Sequence, residues 1–178
     1  MDLTERFVSR EEKFSGRILT VHVDTVTLPD GSVATREVAD HPGGVAIVAL
    51  DDDNNVLLVE QFRYVFNEPI LEIPAGKLEK GEDPYLAALR ELKEETGATP
   101  GFFQPLGKLY PSPGCYGETL HLFLARNLTF GEAKPDEDEF LRAERMPLDV
   151  LLQRILRNEI ADAKTVAGVL KAKLYLNI

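Results

Sequence analysis

Between Gly76 and Ala98 the chain reads GKLEKGEDPYLAALRELKEETGA, and this stretch limits the fold more than any other. Asp83-Pro84 is a helix start: aspartate accepts from the free amides of a first turn, and proline is at ease in the first helical position. Gly97 is a helix stop, because glycine takes the left-handed conformation at low cost. The roughly four turns between them carry Glu91 and Glu95 on one side, with Glu94 flanking it. Leu86, Ala88, Leu89 and Leu92 supply apolar surface to pack the helix on a core. Glu82 lies just ahead of the helix. Such a set of carboxylates repels itself unless a cation sits among them. Arg90 can orient it through forked hydrogen bonds, and Lys77, Lys80 and Lys93 can share the charge on an ordinary solvated face. A divalent metal is the other candidate. Magnesium takes hard oxygen ligands, keeps several waters and binds one or two carboxylates together with substrate phosphates.

The spacing of these residues resembles the signature of the Nudix hydrolases, GX5EX7REUXEEXGU, where U is aliphatic. Gly76, Glu82, Arg90, Glu91, Leu92, Glu94, Glu95 and Gly97 fill its defined positions, with Ala98 as a small final U. The resemblance implies an α/β fold, the α/β/α sandwich of that family around a mixed β-sheet, with a small N-terminal antiparallel sheet or hairpin. It implies hydrolysis of the pyrophosphate that joins a nucleoside diphosphate to another group. Glu91 and Glu95 are then metal ligands, Glu94 a ligand directly or through water, and the Ala75 carbonyl a further one. Glu82 becomes an outer, orienting carboxylate, and Arg90 a support for the acidic face. The implied cofactor is Mg2+, with Mn2+ as an alternative; such an ion lowers the pKa of a bound water and draws charge off phosphoryl oxygens. The implied catalytic base is Glu137 or Glu139, in the acidic segment Pro135–Glu139, or else Glu94, and the sequence does not choose among them.

Pro113 lies sixteen residues after Gly97, within Tyr110-Pro-Ser-Pro-Gly-Cys-Tyr-Gly-Glu118. As local chemistry, Ser112-Pro113-Gly114 is a tight turn. Taken with that offset, with Leu71-Glu-Ile-Pro-Ala-Gly76 and with Glu60-Gln-Phe-Arg63, it resembles the ADP-ribose pyrophosphatase branch of the family, from about Arg17 to the last helix. That branch implies ADP-ribose plus water giving AMP and ribose 5-phosphate. Pro113 then belongs to a substrate loop, and Glu118 accepts from a ribose hydroxyl or helps position metal. Arg63 holds the pyrophosphate in a bidentate manner, unless it forms only a surface ion pair. Phe14, Tyr64 and Phe66 could stack an adenine, although core packing is the more ordinary use of each. Branch members are commonly homodimers whose N-terminal strands complete the partner's pocket. Residues 1–42 are therefore expected to be a dimerisation element ahead of a hydrolase domain over 43–178, with Arg36 reaching the partner's site. A different nucleoside diphosphate sugar, a dinucleotide, or a nucleotide-sensing module without turnover are the remaining readings.

The rest of the chain agrees with one soluble enzyme acting on a small nucleotide. Its 178 residues suffice for a substantial core, and 44% are apolar. A net charge of −10, with no basic stripe, argues against nucleic-acid and anionic-membrane partners. The one cysteine, Cys115, forms no intramolecular disulfide and suits a reducing cytoplasm. No long apolar run or signal segment is visible, so neither secretion nor membrane spanning is expected. Alternating or continuous apolar runs predict strands over 3–9, 18–28, 33–40, 45–50, 56–62, 71–73, 102–110 and 119–125, with 56–62 returning on 45–50 as a hairpin. Helices are expected over 148–158 and 164–176.

Overall fold

The computed structural model describes residues 2–135 and 140–177. The candidate bases Glu137 and Glu139 lie outside the described residues. The chain divides into two units, Met1–Gly43 with Tyr110–Thr119, and Gly44–Leu109 with Leu120–Ile178.

In the first unit, β1 (Arg6–Ser15), β2 (Thr20–Thr27) and β3 (Val33–Asp40) form an antiparallel sheet in that order. The β2–β3 hairpin turns where Pro29-Asp30-Gly31 predicts: Gly31 takes φ 88°, and the Leu28 amide donates to the Ser32 carbonyl at 2.8 Å. β1 runs past the expected Ser9 to Ser15, with two register irregularities against β2, and all its residues are exposed. The polar inner face of this sheet is satisfied internally. Buried His22 sits between Asp24 at 3.0 Å and Asp40 at 2.9 Å, and Arg10 forks onto Asp24 with two bonds of 2.8 Å.

The second unit contains, in chain order, β4 (Gly44–Ala49), β5 (Asn55–Arg63), β6 (Glu68–Glu72), β7 (Ala75–Lys77), α1 (Pro84–Thr96), β8 (Ala98–Leu109), β9 (Leu120–Phe130), β10 (Leu141–Pro147), α2 (Leu148–Leu156) and α3 (Ala163–Leu176). One sheet has the order β7-β4-β9-β8, with β4 and β9 parallel and the other neighbours antiparallel; a second has the order β10-β5-β6. β4 shows why its sequence is an unbroken apolar run: every residue is buried, because both faces of the sheet are covered. Val45, Ile47 and Ala49 pack with Ala87, Ala88 and Leu92 of α1. Ala46, Val48 and Leu50 pack with Leu151, Val169 and Ala172 of α2 and α3. Helices on both faces of a mixed sheet make this an α/β/α sandwich.

Several expectations are corrected. β5 does not return on β4 as a hairpin; the two strands join different sheets and share only the bridge Leu50–Val56. A run of apolar residues on either side of a polar turn is compatible with both arrangements, and burial on both faces decides for separate sheets. β10 was not anticipated, since LRAERMP carries few apolar residues and ends in proline. Leu86 is exposed rather than part of the packed face of α1, which uses Ala87 in its place. Phe14, Tyr64 and Phe66 are all exposed, so none of them is a core residue.

Candidate active site

α1 delivers the acidic residues, and its two ends set their direction. Asp83 caps it by accepting from the amides of Tyr85 at 2.8 Å and Leu86 at 3.2 Å. Gly97 closes it in the left-handed region, φ 71°, and donates to the Lys93 carbonyl at 2.8 Å. With both ends fixed, Glu91 and Glu95 fall on the side that also buries Ala87, Ala88 and Leu92. They are 8% and 3% exposed. A buried carboxylate is costly without partners, and both have them. Glu95 Oε2 accepts from the Ala75 N–H at 3.0 Å, and Glu91 Oε1 from Arg90 Nη1 at 2.9 Å. The Ala75 backbone thus stands in the carboxylate layer. Gly76 makes room for Glu91: a Cβ there would lie 1.9 Å from the carboxylate carbon.

Arg90 is the cation of the cluster. Its Nε and Nη2 fork onto Glu82 at 3.0 and 3.1 Å, and its Nη1 reaches both Glu91 and Glu94 at 2.9 Å. The bond to Glu82 raises the Arg90 pKa most; burial opposes the rise, and Glu91 and Glu94 reinforce it. Glu82 answers in the opposite sense, its carboxyl held below the usual range by Arg90 and by the Glu79 amide. Glu91, Glu94 and Glu95 offer hard carboxylate oxygens, the donor type that suits a hard divalent ion. Among the described residues no three acidic, histidine or cysteine side chains close into a cage, and an ion that keeps its waters and takes ligand phosphates does not need one.

Arg63, at the end of β5, belongs to the same unit. Its Nε and Nη2 bind Glu72 Oε1 and Oε2 at 2.6 and 2.7 Å, while 40% of its side chain remains exposed. Glu72 itself is buried. Burial pushes its carboxyl up, yet Arg63 and Lys164 outweigh that and leave it below the ordinary glutamate value. Glu72 and Lys164 do not stand out in the sequence. The available signals were a charged residue inside the apolar run Ile70–Ile73 and a cation in the first turn of a helix.

Arg36, Pro113 and Glu118 belong to the other unit. Arg36 on β3 forks onto Glu5 at 2.9 and 2.5 Å. Pro113 is exposed in a turn where the Tyr116 amide donates to the Ser112 carbonyl at 3.0 Å. That segment is tied to the end of β3: the Ala39 amide donates to Cys115 O at 2.8 Å, and the Gly117 amide to Ala39 O at 2.9 Å. Glu118 Oε1 lies 3.5 Å from His41 Nδ1, and the His41 ring is 5.5 Å from that of Tyr116. Burial, and then the charge of Glu118, push the Tyr116 hydroxyl up.

The sequence model of the NUDIX domain matches residues 40–168, and that of the nucleoside diphosphate sugar hydrolase N-terminal domain matches residues 5–39. The chain belongs to the Nudix hydrolase family. The ADP-ribose pyrophosphatase of Bacillus subtilis (strain 168) is 42% identical over 169 residues, which cover 94% of this chain and 91% of the relative. The methanol dehydrogenase activator of Bacillus methanolicus is 45% identical over 167 residues, 93% of this chain and 90% of the relative. The crystal structure of an ADP compounds hydrolase shares the fold with a TM-score of 0.86 at 23% identity, covering 99% of this chain and 97% of that one. Members of the family generally use divalent metal ions.

Proposed function

We propose that the protein hydrolyses the pyrophosphate bond of ADP-ribose to give AMP and ribose 5-phosphate, with Mg2+ as the working ion and Mn2+ able to replace it. One observation carries this reading: Glu91 and Glu95 are buried on one side of α1 and held by Arg90 and the Ala75 amide, with Glu94 beside them. Similarity to the ADP-ribose pyrophosphatase of Bacillus subtilis over nearly the whole chain supports the substrate.

A bound divalent ion supplies an activated water and draws negative charge from the phosphoryl oxygens. The protein's own groups do the rest. Glu91 and Glu95 hold the ion, Glu94 assists directly or through water, and the Ala75 carbonyl adds a neutral oxygen. Glu82 keeps Arg90 in place, and Arg90 keeps the neighbouring carboxylates from splaying apart. The edge of Arg63 that does not bind Glu72 binds the pyrophosphate. Pro113 belongs to a substrate loop, and Glu118 accepts from a ribose hydroxyl or helps position metal. Glu94, Glu137 or Glu139 takes the proton from the attacking water. Residues 1–42 act as a dimerisation element ahead of the hydrolase domain, and Arg36 reaches the partner's site. The exposure of Phe7, Val8 and Phe14 along a wholly exposed β1 supports such an assembly. A nucleotide sugar as substrate and an exposed lone Cys115 suit the cytoplasm.

A second reading, another nucleoside diphosphate sugar as substrate, is favoured by the match of residues 5–39 to the N-terminal domain of hydrolases of that class. Competition separates the two. With ADP-ribose, ADP-glucose, GDP-mannose and NADH offered together, the proposal expects ADP-ribose to disappear first. Preferential loss of another compound keeps the chemistry and rejects the substrate.

A further inference from the structure

Glu72 is 3% exposed, and both its oxygens are occupied. Arg63 forks onto it, and Lys164 Nζ bonds the same Oε2 that takes Arg63 Nη2. Lys164 also donates to Asp162 Oδ1 at 3.0 Å. The other oxygen of Asp162 caps α3, accepting from the Thr165 amide at 2.9 Å and its hydroxyl at 2.6 Å. That hydroxyl in turn accepts from the Ile73 amide at 2.9 Å, so the group is anchored on both β6–β7 and α3. Two cations and two carboxylates cancel, which lets them stay out of water.

Neutralisation of Glu72 alone does not explain why Lys164 bonds it as well as Asp162. Arg63 alone satisfies the charge of Glu72, and does so in the strong bidentate form. Lys164 stands at the second position of α3, where the helix dipole disfavours a cation. Its side chain is only 12% exposed, so the ammonium also loses water. A lysine kept against both preferences marks a place where local rules yield to function. Arg63 is the only one of the four that reaches out: 40% of its side chain is exposed, against 3% for Glu72, 12% for Lys164 and 18% for Asp162. Its proton is held most by Glu72, against burial, and further by the charges of Asp162 and Glu95. The guanidinium therefore stands within electrostatic reach of the acidic layer on α1.

We infer that Lys164 is a positioning residue for phosphate recognition: by pinning Glu72 it fixes the Arg63 guanidinium, so that the Nη1 edge outside the fork meets the substrate's pyrophosphate. This rests on the reading of Arg63 as a pyrophosphate ligand. The test is steady-state kinetics with ADP-ribose at saturating Mg2+ for Lys164→Met, Arg63→Gln and the double variant. Lys164→Met is expected to raise KM about tenfold, the scale of one charge-assisted hydrogen bond. Its kcat should stay within about twofold, the split that marks lost uniform binding. Arg63→Gln should raise KM at least as far, and adding Lys164→Met to it should change KM no further. KM reports folded molecules only, so partial unfolding does not imitate the effect. If Lys164→Met fails to fold, Lys164→Met with Glu72→Gln removes both charges of that pair and is expected to show the same raised KM. An unchanged KM in these Lys164 variants beside a raised one in Arg63→Gln overturns the inference alone. So does a Lys164 effect that adds in full to that of Arg63→Gln. An unchanged KM in Arg63→Gln rejects the role of Arg63 itself, and the positioning role falls with it.

Discussion

A methyl group on Gly76 would land 1.9 Å from the carboxylate carbon of Glu91, with no flexible end to swing aside except that carboxylate. Gly76→Ala should therefore displace Glu91 and leave the rest of β7 and α1 standing. Misplacing a reacting group by about 1 Å can cost roughly a hundredfold in rate. The expectation is a fall of about that size in kcat with an unchanged far-ultraviolet spectrum, and a Gly76→Ala enzyme of ordinary rate would contradict the packing described for Glu91. At this scale the sequence was informative because the acidic residues lie within one helical segment, where spacing translates directly into direction. It was silent on Glu72 and Lys164, whose contact joins residues 92 positions apart. No local pattern encodes such a pair; only the folding of α3 onto β6 creates it.

The same pair ties the first turn of α3 to the end of β6. The Glu72 carboxyl lies below its ordinary value of 4.5 in the folded chain, because the bonds from Arg63 and Lys164 outweigh burial. A carboxylate of lowered pKa contributes stability that is present above the unfolded value and lost as pH falls through the folded one. Thermal unfolding followed from pH 7 downward should therefore steepen below about 4.5 in the wild type. Glu72→Gln should melt lower at pH 7, because it strips a buried ion-pair partner, and should show a shallower decline in acid. A steeper acid decline in Glu72→Gln would mean that the carboxyl is not held ionised. Elements with a strong local signal were legible: α1 with its capping aspartate and closing glycine, the β2–β3 turn, and the apolar run of β4. β10 was not, because a mostly exposed strand with alternating charges looks like loop. The pairing of β4 and β5 was also beyond reach, since sheet membership depends on which faces the helices later cover.

In the molecule as a whole, β1 is the element least accounted for by a single chain. All its residues are exposed, including Phe7 at 64%, Val8 at 55% and Phe14 at 59%. Exposed edge strands of that length invite pairing with another chain. Light scattering should give twice the chain mass for the wild type and a single-chain mass for Phe7→Asp with Phe14→Asp; a monomeric wild type would remove the dimer from the account. The proposed function requires that the buried carboxylates of α1 bind the metal with which ADP-ribose is cleaved. Product analysis of purified wild type and Glu95→Gln with ADP-ribose, each with Mg2+ and with chelator, tests it most directly. The expected result is AMP and ribose 5-phosphate from the wild type with Mg2+ alone, and loss of most of that turnover in a still folded Glu95→Gln; near-normal turnover by Glu95→Gln at saturating Mg2+, or product formed in chelator, would rule out metal binding by these carboxylates as the basis of cleavage.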